Sequence, residues 1–353
     1  MDTALESCLT SLRFEGGTIH GRMEVIPLFS GTHRGGDYLT LAQALAQNRL
    51  VITEVGESGT VPELMVRNRG KIPVLLIDGE ELAGAKQNRV LNTTIIVPGE
   101  SEIVIPVSCT EHGRWSYTSP VFHDSEVMMD YRLRSKKMAS VAMSRKFRGT
   151  LASDQLEIWD DIGEMARKAK VHSRTGAMKD IFSAREKAMD EYMHAFPLQP
   201  GQQGILVYMD DQPAGMEFLS RPESYARIHE KLLRSYVLEA LIDDEAPPAR
   251  AAGAERPAEF IQRVLFAHDE AYPGVGLGTE HRLEGPDLVG SALVHEGLVV
   301  HLACFTGTST GSCRAETRMA GFRARHGSRA SGAGGIPRNE KGRNREGEGI
   351  YES

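Results

Sequence analysis

The chain has 353 residues, with 48 acidic and 41 basic side chains, four cysteines and 41% hydrophobic residues. At about 100 to 200 residues per domain the length admits two domains or one large one, and the composition excludes a peptide, a disulfide scaffold and a helical membrane channel. Residues Thr306–Ser353 hold nine Lys/Arg against five Asp/Glu, so the preceding 305 residues carry −11 while the chain as a whole carries −7; such an acidic body repels phosphate backbones and argues against specific nucleic-acid binding.

The N-terminus carries Asp2 and Glu6 around a short apolar stretch, so no secretory leader is expected there. Cysteines 8, 109, 304 and 313 form no CxxC pair, and a reducing, cytoplasmic setting is the expectation. Residues 1–18 read as an N-terminal extension. From Met23 to Cys109, Gly, Pro and Asn punctuate short strands at Met23–Ser30, Leu50–Val55, Leu64–Asn68, Val74–Asp78, Val90–Val97 and Glu102–Cys109.

Between Leu133 and Ala195 the period becomes helical, with Leu156, Trp159, Ile162, Met165 and Ala169 as one stripe behind the cap-like Ser153-Asp154. A strand is expected at Gly204–Met209. A helix follows over Ser220–Ile242, striped by Tyr225, Ile228, Leu232, Tyr236 and Ala240 and ended by Pro247 and Pro248. Glu259–Ala267 reads as a further helix, and Leu277–Leu283, Leu288–His295 and Leu298–Phe305 as closing strands with a Glu296-Gly297 turn. Strands and helices in blocks predict an α+β fold with a β-rich N-terminal part, central helices and closing C-terminal strands over residues 19–305. Residues 306–353, with ten glycines and scattered arginines, are expected to form a disordered basic tail.

Polar chemistry concentrates between Gly79 and Trp115. Leu91, Thr93, Ile95 and Val97 share one face of the outgoing strand, and Ile103, Ile105, Val107 and Cys109 share one face of the return strand. Facing the two sets in a hairpin across Pro98–Glu102 sets Val97 opposite Ile103, Leu91 opposite Cys109 and Arg89 opposite Glu111, at about 5 Å between Cβ atoms. One reading is a structural Arg–carboxylate pair. The other is a pocket mouth where Glu81, Gln87, Asn88, Arg89, Glu111, Arg114 and Trp115 surround a small polar molecule. There the arginine forks suit phosphate, a shielded carboxylate suits general-base work, and Trp115 offers a stacking face.

The run Glu81 to Arg89 (ELAGAKQNR), the strand Pro106–Cys109 leading to Glu111 and Gly113-Arg114-Trp115, and the later Arg234-Ser235-Tyr236 resemble the ARPP domain, short for ARG and Rhodanese-Phosphatase-superfamily-associated Protein. The resemblance spans Ile19 to Phe305. It implies a role in NAD and ADP-ribose metabolism beside ADP-ribose-processing proteins. It also nominates Glu81 and Glu111 as proton-handling acids, and Gln87, Asn88, Arg89, Arg114 and Trp115 as substrate-binding residues.

Ser235 and Glu239 lie one helical turn apart and offer a second hydroxyl and acid, although a solvated helix edge is the commoner outcome. Cys109 and His112 fall short of a zinc set, so a core cysteine is expected and no metal is assigned. No Gly-x-Ser-x-Gly elbow, phosphate-binding loop or His-Glu-x-x-His motif occurs. The expectation is a cytoplasmic enzyme, without assigned cofactor, acting on an anionic, NAD-derived or ADP-ribose-containing small molecule. A sensor for such a ligand, or an interaction scaffold, is the alternative.

Overall fold

The computed structural model describes residues 1–31, 36–56, 59–242 and 255–307. In chain order these form α1 (Thr3–Ser11), β1 (Leu12–Phe14), β2 (Thr18–His20), β3 (Met23–Ser30), β4 (Leu39–Thr40), α2 (Leu41–Ala46), β5 (Leu50–Glu54), β6 (Glu63–Asn68) and β7 (Val74–Leu76). There follow β8 (Glu80–Gly84), β9 (Arg89–Leu91), β10 (Ile95–Val97), β11 (Ser101–Cys109) and β12 (Phe122–Met128), then the helices α3 (Tyr131–Arg148), α4 (Gln155–Lys168) and α5 (Met178–Ala195). The last group is β13 (Gly204–Met209), β14 (Gln212–Leu219), α6 (Pro222–Ile242), α7 (Glu255–Leu265), β15 (His268–Pro273), β16 (Thr279–Gly285), β17 (Leu288–His295) and β18 (Leu298–Thr306).

The fold is mixed, with central helices and sheets that are antiparallel except where β4 runs parallel to β7. A nine-stranded sheet runs β1-β3-β13-β14-β18-β17-β16-β15, with β2 paired beside β3. Both of its faces are covered. Ile205, Val207 and Met209 of β13 join the core under the central helices, whereas Leu206 and Tyr208 join Leu5 and Leu9 of α1 and Phe260 and Val264 of α7. That double cover is why β13 reads as an uninterrupted apolar run. Residues 1–18, read as an extension, supply α1 and β1 to this unit, with Leu5 and Cys8 fully buried and β1 paired with β3.

Strand β14 escaped the sequence reading because Pro213 and Gly215 look like turn residues. A Cβ on Gly215 would stand 2.7 Å from both Phe305 and the Tyr236 hydroxyl, so the glycine marks a close approach rather than a turn. The β13–β14 turn uses Asp210 and Asp211, both at positive φ, as a two-residue hairpin requires. The predicted Glu296-Gly297 turn is present with positive φ at both residues.

The predicted strand Val90–Val97 is broken. Asn92, Thr93 and Thr94 leave the ladder as their side chains bond to the Leu151 carbonyl, to Glu280 and to His301 Nδ1, and β10 joins β7 instead, Ile95 facing Leu76. Strand β11 divides its pairing: Ile103 faces Val66 of β6, and only Val107 to Cys109 face β9. A six-stranded sheet, β12-β8-β9-β11-β6-β5, and a three-stranded one, β10-β7-β4, result.

Asp130 caps α3, Asp154 caps α4 as expected, and Gly149 ends α3 in the left-handed region. The buried stripe of α4 is Ile158, Ile162 and Met165, and Leu156, assigned to that stripe, is 69% exposed. The α6 stripe is buried throughout as read. Pro247, Pro248 and the tail beyond Gly307 lie outside the described residues.

Candidate functional site

The Gly79–Trp115 region divides into three groups, and sheet parity decides the division. In the β8–β9 ladder Glu81 faces Val90 and Leu82 faces Arg89, so Glu81 and Arg89 project from opposite faces. Cys109, not Glu111, stands opposite Arg89, two residues from the predicted register. The parity of the prediction holds while its offset fails, because the first half of β11 is held by β6.

The first group surrounds Arg89, which is fully buried. Its Nη1 donates to Gln87 Oε1 at 3.2 Å, to the Asn88 carbonyl at 3.4 Å and towards Cys109 Sγ at 3.4 Å. Nη2 lies 3.8 Å from Glu54 Oε1, beyond hydrogen-bond reach, and Nε and Nη2 have no acceptor among the described residues. Glu54 Oε2 is likewise buried without a donor. Trp115, 51% exposed, places its ring 5.8 Å from the Arg89 guanidinium and 5.4 Å from the Lys86 ammonium, and Tyr117 sits 5.1 Å from that same ammonium. Burial pushes the Cys109 thiol up despite the nearby Arg89 charge, so it is a packed thiol that donates to Gln87 Oε1 at 3.0 Å.

The second group is a clamp. The chain from Gly84 to Asn88 makes a tight excursion in which Gly84 has φ 125° and Ala85 φ 40°, and a Cβ on Gly84 would stand 2.6 Å from Ser119 Oγ. Arg114 holds this excursion with its whole fork. It donates to both Glu111 oxygens at 2.9 and 2.6 Å, to the Ala85 and Ser116 carbonyls at 2.7 and 3.0 Å, and to Asn88 Oδ1 at 3.1 Å. Glu111 also accepts the Asn88 backbone N–H at 3.1 Å. Burial pushes the Glu111 carboxyl up, but Arg114, Thr175 and the Asn88 N–H outweigh it and hold the group below its ordinary value. Arg114, Glu111 and Asn88 are therefore committed to one another.

The third group is Glu81 on the opposite face, fully buried and accepting from Thr110 Oγ1 at 2.6 Å. Burial raises its carboxyl to about 7, the Thr110 bond opposing only part of that rise. The structure thus brings Gln87, Arg89 and Trp115 together, ties Asn88, Glu111 and Arg114 into the neighbouring clamp, and sets Glu81 apart.

Sequence reasoning missed Glu54, Lys86 and Tyr117. Glu54 had a signal: it shares the inward parity of Leu50 and Ile52, and an acid in that position needs a partner. Ser235 donates back to the Leu232 carbonyl at 2.6 Å, and Glu239 pairs with Arg132 at 2.7 Å.

Fold and site together define a mixed, mainly antiparallel domain with a buried arginine cluster roofed by exposed aromatic rings. The model of the ARG and Rhodanese-Phosphatase-superfamily-associated Protein domain, ARPP-1, matches residues 11–305. The chain belongs to that family. The comparison with curated proteins gave no significant match, and neither did the comparison with solved structures.

Proposed function

We propose that the protein takes an anionic, nucleotide-like small molecule, NAD-derived or containing ADP-ribose, at the pole formed by Lys86, Arg89, Trp115 and Tyr117, and acts on it. The observation that carries this reading is Arg89: a fully buried guanidinium with two nitrogens lacking acceptors among the described residues, 5.8 Å from an exposed tryptophan ring. Leaving charged donors unsatisfied in the interior costs several kcal/mol, and a phosphate or carboxylate oxygen supplies the missing acceptors. Trp115 and Tyr117 offer faces for a base, and Lys86 adds a second cation. Access to Arg89 requires the side chains above it to move aside.

The carboxylate on Arg89's side is Glu54, whose Oε1 is 3.8 Å from Nη2 and whose Oε2 has no described donor. It takes the proton-handling role that the sequence assigned to Glu81 and Glu111. The second reading, a sensor that binds without turnover, is favoured by the engagement of Glu111 with Arg114 and by the separation of Glu81 from Arg89.

The test incubates purified protein with NAD, ADP-ribose and ADP-ribose phosphates, with and without divalent metal, and follows products by mass spectrometry alongside calorimetric binding. Turnover that falls in Glu54→Gln supports the enzyme. Binding without turnover, weakened in Arg89→Lys, supports the sensor. Neither binding nor turnover removes both readings.

A further inference from the structure

The Lys86 side chain is enclosed by aromatic rings that are themselves open to solvent. Its ammonium lies 5.4 Å from the Trp115 ring centroid and 5.1 Å from that of Tyr117, and Lys86 is 9% exposed whereas Trp115 and Tyr117 are 51% and 53% exposed. Both distances are within cation–π range. Half of each ring is already accessible, and the space between them is held by a charge of the protein's own.

The main chain around this pair is fixed. Between the rings the Ser116 carbonyl accepts from Arg114 Nη1 at 3.0 Å, and beyond them the Thr118 N–H donates to the Ala85 carbonyl at 3.0 Å. The Ala85 N–H donates to Ser119 Oγ at 3.1 Å and the Lys86 N–H to Glu54 Oε1 at 3.3 Å. The rings stand on a held backbone, and the Lys86 ammonium leaves them by rotation about its own side-chain bonds.

A lysine ammonium is compact and strongly hydrated, which makes it a weak occupant of an aromatic pair open to water. A flat cation with delocalised charge loses less hydration and adds stacking area. Exchanging one cation for the other leaves the charge over the rings unchanged, whereas a neutral ring displaces the ammonium without replacing its attraction to them.

We propose that Trp115 and Tyr117 form a subsite for an oxidised, positively charged pyridinium ring, which takes the place of the Lys86 ammonium and so distinguishes this form of the ligand from the reduced, uncharged dihydropyridine. The released ammonium turns to the ligand's phosphate. The inference rests on the proposed function in placing a nucleotide-like molecule at this pole; the preference for a flat cation follows from the rings and the ammonium alone.

The test uses the full chain and two pairs of probes that differ in ring charge: 1-methylnicotinamide against nicotinamide, without phosphate, and nicotinamide mononucleotide against its reduced form, with it. Calorimetry reads the affinities, and a pyridinium stacked on an indole adds a charge-transfer absorption to the red of the tryptophan band. Saturable binding of 1-methylnicotinamide with that absorption is expected, and in each pair the charged ring should bind about three- to tenfold tighter than the neutral one. Trp115→Leu/Tyr117→Leu should abolish the absorption and the preference, Trp115→Phe/Tyr117→Phe should keep the preference, and Lys86→Met, which empties the rings, should tighten 1-methylnicotinamide severalfold. Equal affinity for the two mononucleotide forms, or a preference that survives the double leucine variant, overturns the subsite and leaves the nucleotide reading in place. Binding of 1-methylnicotinamide with failure of both mononucleotides removes the nucleotide reading and leaves the cation subsite standing. Binding of no probe overturns both.

Discussion

Replacing Arg114 with glutamine separates a clamp from a ligand-binding arginine. Among the described residues the guanidinium is the charged partner of Glu111, and the change deletes two charge-assisted bonds to it and leaves the Ala85 and Ser116 carbonyls without that donor. Glu111 is only 5% exposed and would retain the Asn88 N–H and Thr175. Breaking a buried ion pair from one side costs about 3 to 5 kcal/mol, and because the Arg114 side chain keeps 13% exposure the lower end, about 3 kcal/mol, applies. That is a large fraction of the stability of an ordinary domain, about 5 to 15 kcal/mol. Urea denaturation at constant temperature reads it as a lower midpoint with an unchanged slope.

A pH signature accompanies the loss. The Glu111 carboxyl sits below its ordinary 4.5 in the folded protein, so its contribution to stability is present above 4.5 and is lost as pH falls through the folded value. In Arg114→Gln that carboxyl moves up, and the variant loses less stability on acidification than the wild type. A stability within about 0.5 kcal/mol of wild type, together with abolished ligand binding, would refute the clamp and return Arg114 to the ligand.

Glu81, raised from 4.5 to about 7, keeps a proton in the folded state that the unfolded chain releases, so its presence lowers stability as pH rises from about 4.5 to about 7. Glu81→Gln, with an amide oxygen still able to accept from Thr110, should match wild type near pH 4 and exceed it above pH 7 by on the order of 3 kcal/mol; a difference that stays flat across thermal melts in this range would sink the assignment. Lys137, buried against Asp78 and bonded to the Leu91 carbonyl at 2.6 Å, is lowered to about 8 by burial. Lys137→Met strands Asp78 and should cost about 3 to 5 kcal/mol in denaturant, with Lys137→Met/Asp78→Leu recovering part; a double variant no better than the single one counts against the pairing. Trp115→Ala, at a half-exposed ring, should leave stability within about 0.5 kcal/mol but weaken nucleotide binding about tenfold by calorimetry; unchanged affinity would remove Trp115 from the site.

Local patterning was legible where one physical rule ruled. β3, β13 and β17 have the predicted bounds, because predominantly apolar segments between turns have one outcome when both faces are covered. The Arg89 region was legible in composition and parity but not in offset. A hairpin from Val90–Val97 to Glu102–Cys109 satisfies local rules, yet Val66 and Leu76, far off in the chain, compete for Ile103 and Ile95 and win. Glu81 and Arg89 share a parity in the chain, so alternation alone does not separate them; the β8–β9 register, which pairs Glu81 with Val90, sets them on opposite faces. The second acid, Glu54, comes from β5 and joins the cluster only through the fold.

The neighbouring strands β3 and β13 have a consequence for how the chain reaches this state. Ser30 and Gln203 bond directly across 173 positions, and α1 rests its buried leucines against residues of β18 at the other end of the family domain. On the ribosome, the first strands wait for their partners while everything between is made, and the sheet lacks its interior strand β18 until residue 306 has been synthesised and has cleared the exit tunnel. Contacts of such long range form slowly. Nascent chains stopped before β18 should therefore leave the facing edges of β14 and β17 unpaired and the apolar face of α1 partly uncovered, which makes this last strand the step that commits the chain and the earlier segments natural clients of holding chaperones.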